Sequence, residues 1–109
     1  MDKKVLIEIE IIRKYINKRK IYWTKHCLNR MNQRNILISD VKKAIQTGSI
    51  IEHYYDDYPY PSCLIIGYDI NGKVLHIVCG ICSDSVYIIT AYYPDTNKWK
   101  EDMETRRNK

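Results

Sequence analysis

The chain contains no phenylalanine, no apolar run approaching a membrane span, no glycine-rich phosphate loop and no paired-carboxylate motif. Each absence narrows what it can be. A transmembrane helix needs roughly 18 or more consecutive apolar residues, and Glu8, Glu10 and Arg13 interrupt the apolar N-terminal stretch. The same interruptions, with no small-residue cleavage site, leave no signal-peptide pattern, so the expected location is the cytoplasm. Without DxD, HExxH or a Gly-rich loop, metal-dependent nuclease and nucleoside triphosphate chemistry lack their parts. No cofactor or metal is expected. With no phenylalanine, the ring surface falls on ten tyrosines and two tryptophans. Tyr54, Tyr55, Tyr58 and Tyr60 bracket a loop with two prolines, and Tyr87, Tyr92 and Tyr93 lie near the end of the apolar pattern. Such rings serve as core or cross-strand packing, or stack on unpaired bases at about 1–3 kcal/mol each.

What is present fits one domain. The 109 residues can bury a single core. Residues 1–34 carry ten Lys/Arg against three Asp/Glu, and residues 35–109 carry eight against ten. The whole basic excess therefore lies in the first third, and a one-sided positive field attracts phosphate backbones. Lys18, Arg19, Lys20 and Lys25 are the candidate RNA-contacting cations. The competing reading is a solvated, lysine-rich helix surface.

The periodicity gives helices first and strands after. Residues 3–17 mix helical and alternating spacing, with length and lysines favouring helix. A link through Tyr22-Trp23 leads to Thr24, a candidate N-cap for a helix to about Asn35. A third short helix opens at Ser39 or Asp40 and ends at Gly48, where a left-handed cap is expected. Beyond it the period becomes two, over 50–55, 63–70, 73–82 and 86–93. Asn71-Gly72 and Ser83-Asp84 are the expected two-residue turns. Pro94 stops the last strand. The expectation is an α+β fold with helices on one face of a four-stranded antiparallel sheet, spanning 1–99, and a polar tail over 100–109.

His26, Arg30 and Arg34 fall at i, i+4 and i+8, a stripe about 80° wide beside the apolar Cys27, Leu28 and Met31. Guanidinium forks pair bidentately with phosphoryl oxygens and never deprotonate, so the row suits a phosphate. A purely structural helix would tend to avoid an unrelieved cationic row. His76 is the second candidate. The two expected turns set it opposite Gly67 and Ala91, in a hollow, and leave Leu64, Ile66, Leu75, Ile77 and Ile88 as the face for the helices. A satisfied buried histidine is the bland alternative. His76, Cys79 and Cys82 read H-x2-C-x2-C, which invites zinc. A strand sends residues three apart to opposite faces, which argues for structural cysteines instead.

The string from Tyr22 to Ile36 resembles the T-x-H-A-x-x-R-M-x-x-R-G-I signature of the bacterial DUF4258-type family of unknown function. Ser39–Glu52 is similar to that family's next helix, as are Tyr60–Ile65, Leu75–Val78 and Ile88–Trp99 to its later blocks. Cys27 replaces a small residue and Asn35 a glycine. Members are often encoded beside a zinc-finger antitoxin of the YgiT/MqsA-like kind, and their element order is similar to RelE- and MqsR-type mRNA interferases. The resemblance implies a type II toxin acting as a metal-independent mRNA endoribonuclease. Its catalytic set would be His26 or His76 as base and acid, Arg30 and Arg34 as cations and Tyr92 as accessory donor. The alternative is a non-catalytic module of the same fold that binds RNA or a partner protein. Because the basic excess is confined to residues 1–34, RNA affinity is expected to fall steeply with salt. Replacing Lys18, Arg19 and Lys20 together should flatten that slope, as read by titration at several salt concentrations. An unchanged slope would place the RNA elsewhere.

Overall fold

The structure is a computed structural model and describes residues 7–107. Three helices precede a meander: α1 (Ile9–Asn17), α2 (Lys25–Gln33) and α3 (Ile38–Thr47), then β2 (Ser49–Tyr54), β3 (Ser62–Tyr68), β4 (Val74–Cys82) and β5 (Ser85–Tyr92). A short strand, β1 (Ile21–Trp23), stands between α1 and α2. The part of the expected first helix over residues 3–6 lies outside the described residues. No helix among the described residues is long and apolar enough to cross a membrane.

The fold is α+β, but its sheet is five-stranded and mixed, in the order β1-β5-β4-β3-β2. Four antiparallel strands were expected. The segment read as a link, Ile21–Trp23, instead pairs parallel to β5, with Tyr22 opposite Tyr87. Three residues are too few for a periodicity signal. Ile21 and Trp23 turn toward the helix side and pack against the core, which leaves Tyr22 on the other face, 63% exposed.

Local chemistry explains the helix ends. The Thr24 side chain accepts from Cys27 N at 3.0 Å, capping α2. Asn35 follows α2 at φ 58, a left-handed position that asparagine tolerates better than most residues. The N-cap of α3 is Leu37, ahead of the expected Ser39 or Asp40, and Asp40 reaches back to accept from Leu37 N at 2.8 Å. Gly48 ends α3 without the expected left-handed turn, since its φ is −97°. Glycine is needed there for space: a Cβ would sit 2.1 Å from Ile66 O. Arg13 of α1 secures this end of α3, donating to Ile45 O at 3.0 Å and Gly48 O at 2.6 Å.

Two register details differ from expectation and together exchange a sheet face. The turn between β3 and β4 has three residues between Asp69 and Lys73, not two. Asp69 N donates to Lys73 O at 2.8 Å, and Gly72 sits at φ 81° as a bulge residue. Ile66, not Gly67, therefore faces His76. The Ser83-Asp84 turn is as expected, but a bulge in β5 then sets His76 opposite Tyr92 instead of Ala91. Cys63, Ile65, Leu75, Ile77, Cys79, Val86, Ile88 and Ala91 consequently meet the helices in the core. Leu64 and Ile66, expected on that side, share the second face with His76.

Gly67 marks a second close approach of helix to sheet. A Cβ there would lie 2.2 Å from Ala44 O, inside α3. Gly67→Ala is expected to lower the melting temperature by roughly 8 °C or more, since backbone must move to admit it. Gly72→Asn should change it little, because the turn leaves open space and asparagine adopts positive φ. Thermal unfolding of the two variants checks both expectations.

Candidate functional site

The second face is closed at one end by the segment after β5. Residues 94–107 fold back on themselves, with Trp99 bridged to Arg106, Lys100 N donating to Thr105 O at 2.8 Å and Arg107 N to Lys98 O at 2.9 Å. The described part of the segment read as a polar tail, residues 100–107, is thus folded onto the domain. Trp99 is buried and meets the His76 ring edge to face at 4.6 Å. Arg106 stacks over Trp99 at 4.5 Å and is held by the Glu52 carboxylate, at 2.8 Å from Nε to Oε2 and 3.0 Å from Nη2 to Oε1. Tyr54 also bonds Glu52. The Arg106 bond is the main cause that lowers the Glu52 carboxyl below its ordinary range.

His76 is fully buried under this cover. Its Nε2 lies 2.7 Å from Met103 O. A carbonyl can only accept, so Nε2 carries the proton. Burial lowers the ring's pKa, which the Met103 bond and the Glu52 charge only partly offset, and favours the neutral form. Nδ1 is then a bare acceptor, and the Tyr92 hydroxyl stands 3.4 Å away to donate to it. Burial raises the Tyr92 pKa, so the phenol keeps its proton. Met103 O, His76 and Tyr92 thus form a chain that starts in the interior and surfaces at Tyr92.

Tyr92 surfaces in a cleft of about 670 Å³ lined by Arg34, Tyr92, Tyr93, Asp95, Lys98, Trp99 and Arg106. Arg34, just past α2, spends one nitrogen on the sheet: Nη1 donates to Ala91 O at 2.8 Å and approaches Thr90 Oγ1 at 3.3 Å. A guanidinium held at one corner keeps its remaining donors in fixed directions. Tyr93 is fixed from behind, donating to Asp69 Oδ2 at 2.8 Å. Burial and that bond push its pKa up to about 12. With Arg106 paired to Glu52, Arg34 and Lys98 outweigh the Asp95 carboxylate around the two phenols, so the cleft attracts anions, with both hydroxyls protonated at neutral pH.

The expected site residues divide. Arg34 and Tyr92 line the cleft, and His76 reaches it only through Tyr92. His26 and Arg30 are exposed on α2 and do not line the cleft. Of the stripe, Arg34 is the member that bonds the sheet and lines the cleft. Lys18, Arg19, Lys20 and Lys25 are exposed, and Lys20 pairs with Asp84 at 2.6 Å. Lys98, Asp95 and Arg106 escaped the sequence reading, since no periodicity marks an irregular segment. Trp99, an apolar ring in a polar run, was the one available signal. His76 and Cys79 occupy opposite faces, and Cys79 is buried against Cys63 with sulfurs 3.9 Å apart.

Burial of a neutral histidine has a thermodynamic signature. The folded pKa of His76 is depressed, so its contribution to stability is complete above the unfolded value of about 6.5. It is lost as pH falls from there toward the folded pKa. The melting temperature is expected to drop as pH falls below about 6.5, before the carboxylates titrate, and His76→Gln should flatten that limb. An unaltered slope in the variant would assign the proton uptake to another group.

A family model described as a domain of unknown function (DUF4258) matches residues 23–93, from the last residue of β1 to just past β5. Arg34, His76, Tyr92 and Tyr93 lie within that span, and the cleft residues Asp95, Lys98, Trp99 and Arg106 follow it. No curated protein and no solved structure matches the chain. With about two thirds of its length covered by the family model, the chain belongs to the DUF4258 family.

Proposed function

We propose that this protein is a metal-independent mRNA endoribonuclease, the toxin of a type II toxin–antitoxin pair working in the cytoplasm, with its reaction centre in the Arg34–Tyr92 cleft. The observation that carries the reading is the hydrogen-bonded pair of Tyr92 and His76, opening beside a fixed arginine in a cationic cleft. Cleavage of RNA without a metal requires these parts. The 2′-hydroxyl attacks the adjacent phosphorus, its proton passing to Tyr92 Oη as the Tyr92 proton moves to His76 Nδ1. The bond from phosphorus to the 5′-oxygen breaks, and that oxygen takes a proton from the Lys98 ammonium, leaving a 2′,3′-cyclic phosphate and a 5′-hydroxyl. Arg34 holds the charge that builds on the phosphoryl oxygens. His26 and Arg30 serve in this scheme as outlying contacts to the RNA backbone. The helices-then-meander order, similar to RelE- and MqsR-type toxins, supports the same reading, and a zinc-finger antitoxin of the YgiT/MqsA-like kind is the partner it implies.

Expression without an antitoxin should slow bacterial growth, with cellular mRNA cut. In purified form, cleavage should persist in chelator. Arg34→Ala should lower it about 10²–10³-fold and Tyr92→Phe about 10²-fold or more, with melting temperatures near that of the wild type. Arg34→Lys should restore little, because an ammonium lacks the planar fork. His26→Gln should stay within a few-fold. Complete burial of His76 favours a second reading, a module that binds RNA or a partner without cutting it. That module would bind RNA and release no cyclic phosphate at any protein concentration.

A further inference from the structure

Beyond the cleft, the second face of the sheet carries an aromatic row that the chemistry above does not use. The strand registers align Gly80 of β4, Tyr87 of β5 and Tyr22 of β1 side by side. Gly80 has no side chain in the row's path: a Cβ there would come within 2.6 Å of the Tyr87 hydroxyl oxygen and 2.7 Å of its ring. The outer end of the Tyr87 ring thus lies across the sheet over Gly80, in the room that the missing side chain leaves. Tyr60, from the loop before β3, meets it edge-on at 5.9 Å and is 40% exposed. Tyr22 completes the row at the sheet edge and is the most exposed of the three rings.

Cations flank this strip at both ends. Immediately before β1 lie Lys18, Arg19 and Lys20, all exposed, with Lys20 paired to Asp84. On the other side, Thr90 holds Arg34 at the cleft, in the next cross-strand row along the same face. Adjacent rows on a strand face are about 7 Å apart, within one nucleotide step of an extended single strand. Asp84, in the turn beside the strip, is paired with Lys20, and Asp57 accepts from the Ser62 hydroxyl while keeping its charge.

We propose that Tyr22, Tyr87 and Tyr60 form a stacking platform for unpaired bases, which makes single-stranded RNA the substrate class and sets the strand's path from Lys18–Lys20 across the sheet to Arg34. The inference rests on the ribonuclease reading and narrows it. A duplex keeps its bases in the stack and offers only backbone, so the platform discriminates against it. Stacking tolerates any base, since each presents a π-face, so the row confers preference for unpaired character instead of a particular sequence.

The test is fluorescence-anisotropy binding of a short uridine oligonucleotide with 2′-O-methyl sugars, which cannot be cleaved by transesterification. It is run beside an abasic oligonucleotide of equal length and a duplex. The wild type should bind the uridine strand at least about fivefold more tightly than either control. Tyr22→Ala, an exposed change that spares the core, should weaken uridine binding by about fivefold or more and leave abasic binding unaltered. Tyr60→Ala should behave in the same way. Tyr variants that bind uridine as tightly as the wild type would overturn the platform while leaving the cleft assignment intact. Equal binding of all three probes by the wild type would do the same. A wild type that binds none of the probes would overturn the ribonuclease reading and the platform with it. Loss of partner-protein binding in Tyr22→Ala with RNA binding intact would reassign the strip to a protein contact.

Discussion

The register of β3 against β4 decides the character of both faces of this sheet, and it is set by a single carboxylate. Asp69 Oδ1 accepts from Asn71 N at 2.9 Å and Lys73 N at 2.8 Å, closing a three-residue turn. Its Oδ2 accepts from Tyr93, and the neighbouring Ile70 N is taken by the buried Asp40 of α3 at 3.0 Å. Burial alone would raise the Asp69 pKa, but these donors outweigh it and hold the group below the ordinary carboxylate value. A slip of one residue would carry His76 to the helix side and Ile77 to the other. Turn, third helix and the last strand are therefore fixed as one unit, with the cleft at its border.

The electrostatics of the molecule follow from where its cations are engaged. The N-terminal third supplies the whole formal excess, yet Arg13 is consumed at the end of α3 and Lys20 by Asp84. Arg106 is neutralised by Glu52 and lies flat on Trp99. Arg34 and Lys98 remain as the cations facing the cleft, beside the Asp95 carboxylate. Net charge thus overstates the basic surface, and the local arrangement of a few side chains determines where an anion would rest.

Much of the architecture was legible in the sequence because it is periodic. The three helices, the Thr24 cap, the four long strands and the Ser83-Asp84 turn follow from spacing and cap chemistry. The family was legible from the blocks between Tyr22 and Trp99. What escaped has specific physical causes. Ile21–Trp23 is too short to show alternation, and the extra residue at the β3–β4 turn is invisible without the Asp69 hydrogen bonds. The β5 bulge at Ile89 has no compositional mark. Of the residues lining the candidate cleft, Arg34 was singled out by its place in the helical row and Tyr92 through the family resemblance. His26 and Arg30 were grouped with Arg34 by helical angle alone, which says nothing of which end of the stripe meets the sheet. Asp95, Lys98 and Arg106 come from irregular chain, whose path depends on tertiary contacts such as Trp99 on His76.

The two outer strands give the sheet a property of their own. At one border β1 offers only three residues, and at the other β2 is broken by a bulge between Ile50 and Glu52. Unpaired strand borders are templates for another chain, and proteins blunt them by shortening or distorting the ladder. Both devices are present here, one on each side. A second copy, or an extended peptide, would find no long straight ladder to join, so self-association through β-pairing is disfavoured despite a tyrosine-rich and strongly β-forming sequence. Recognition by other molecules is left to the broad faces and the helices.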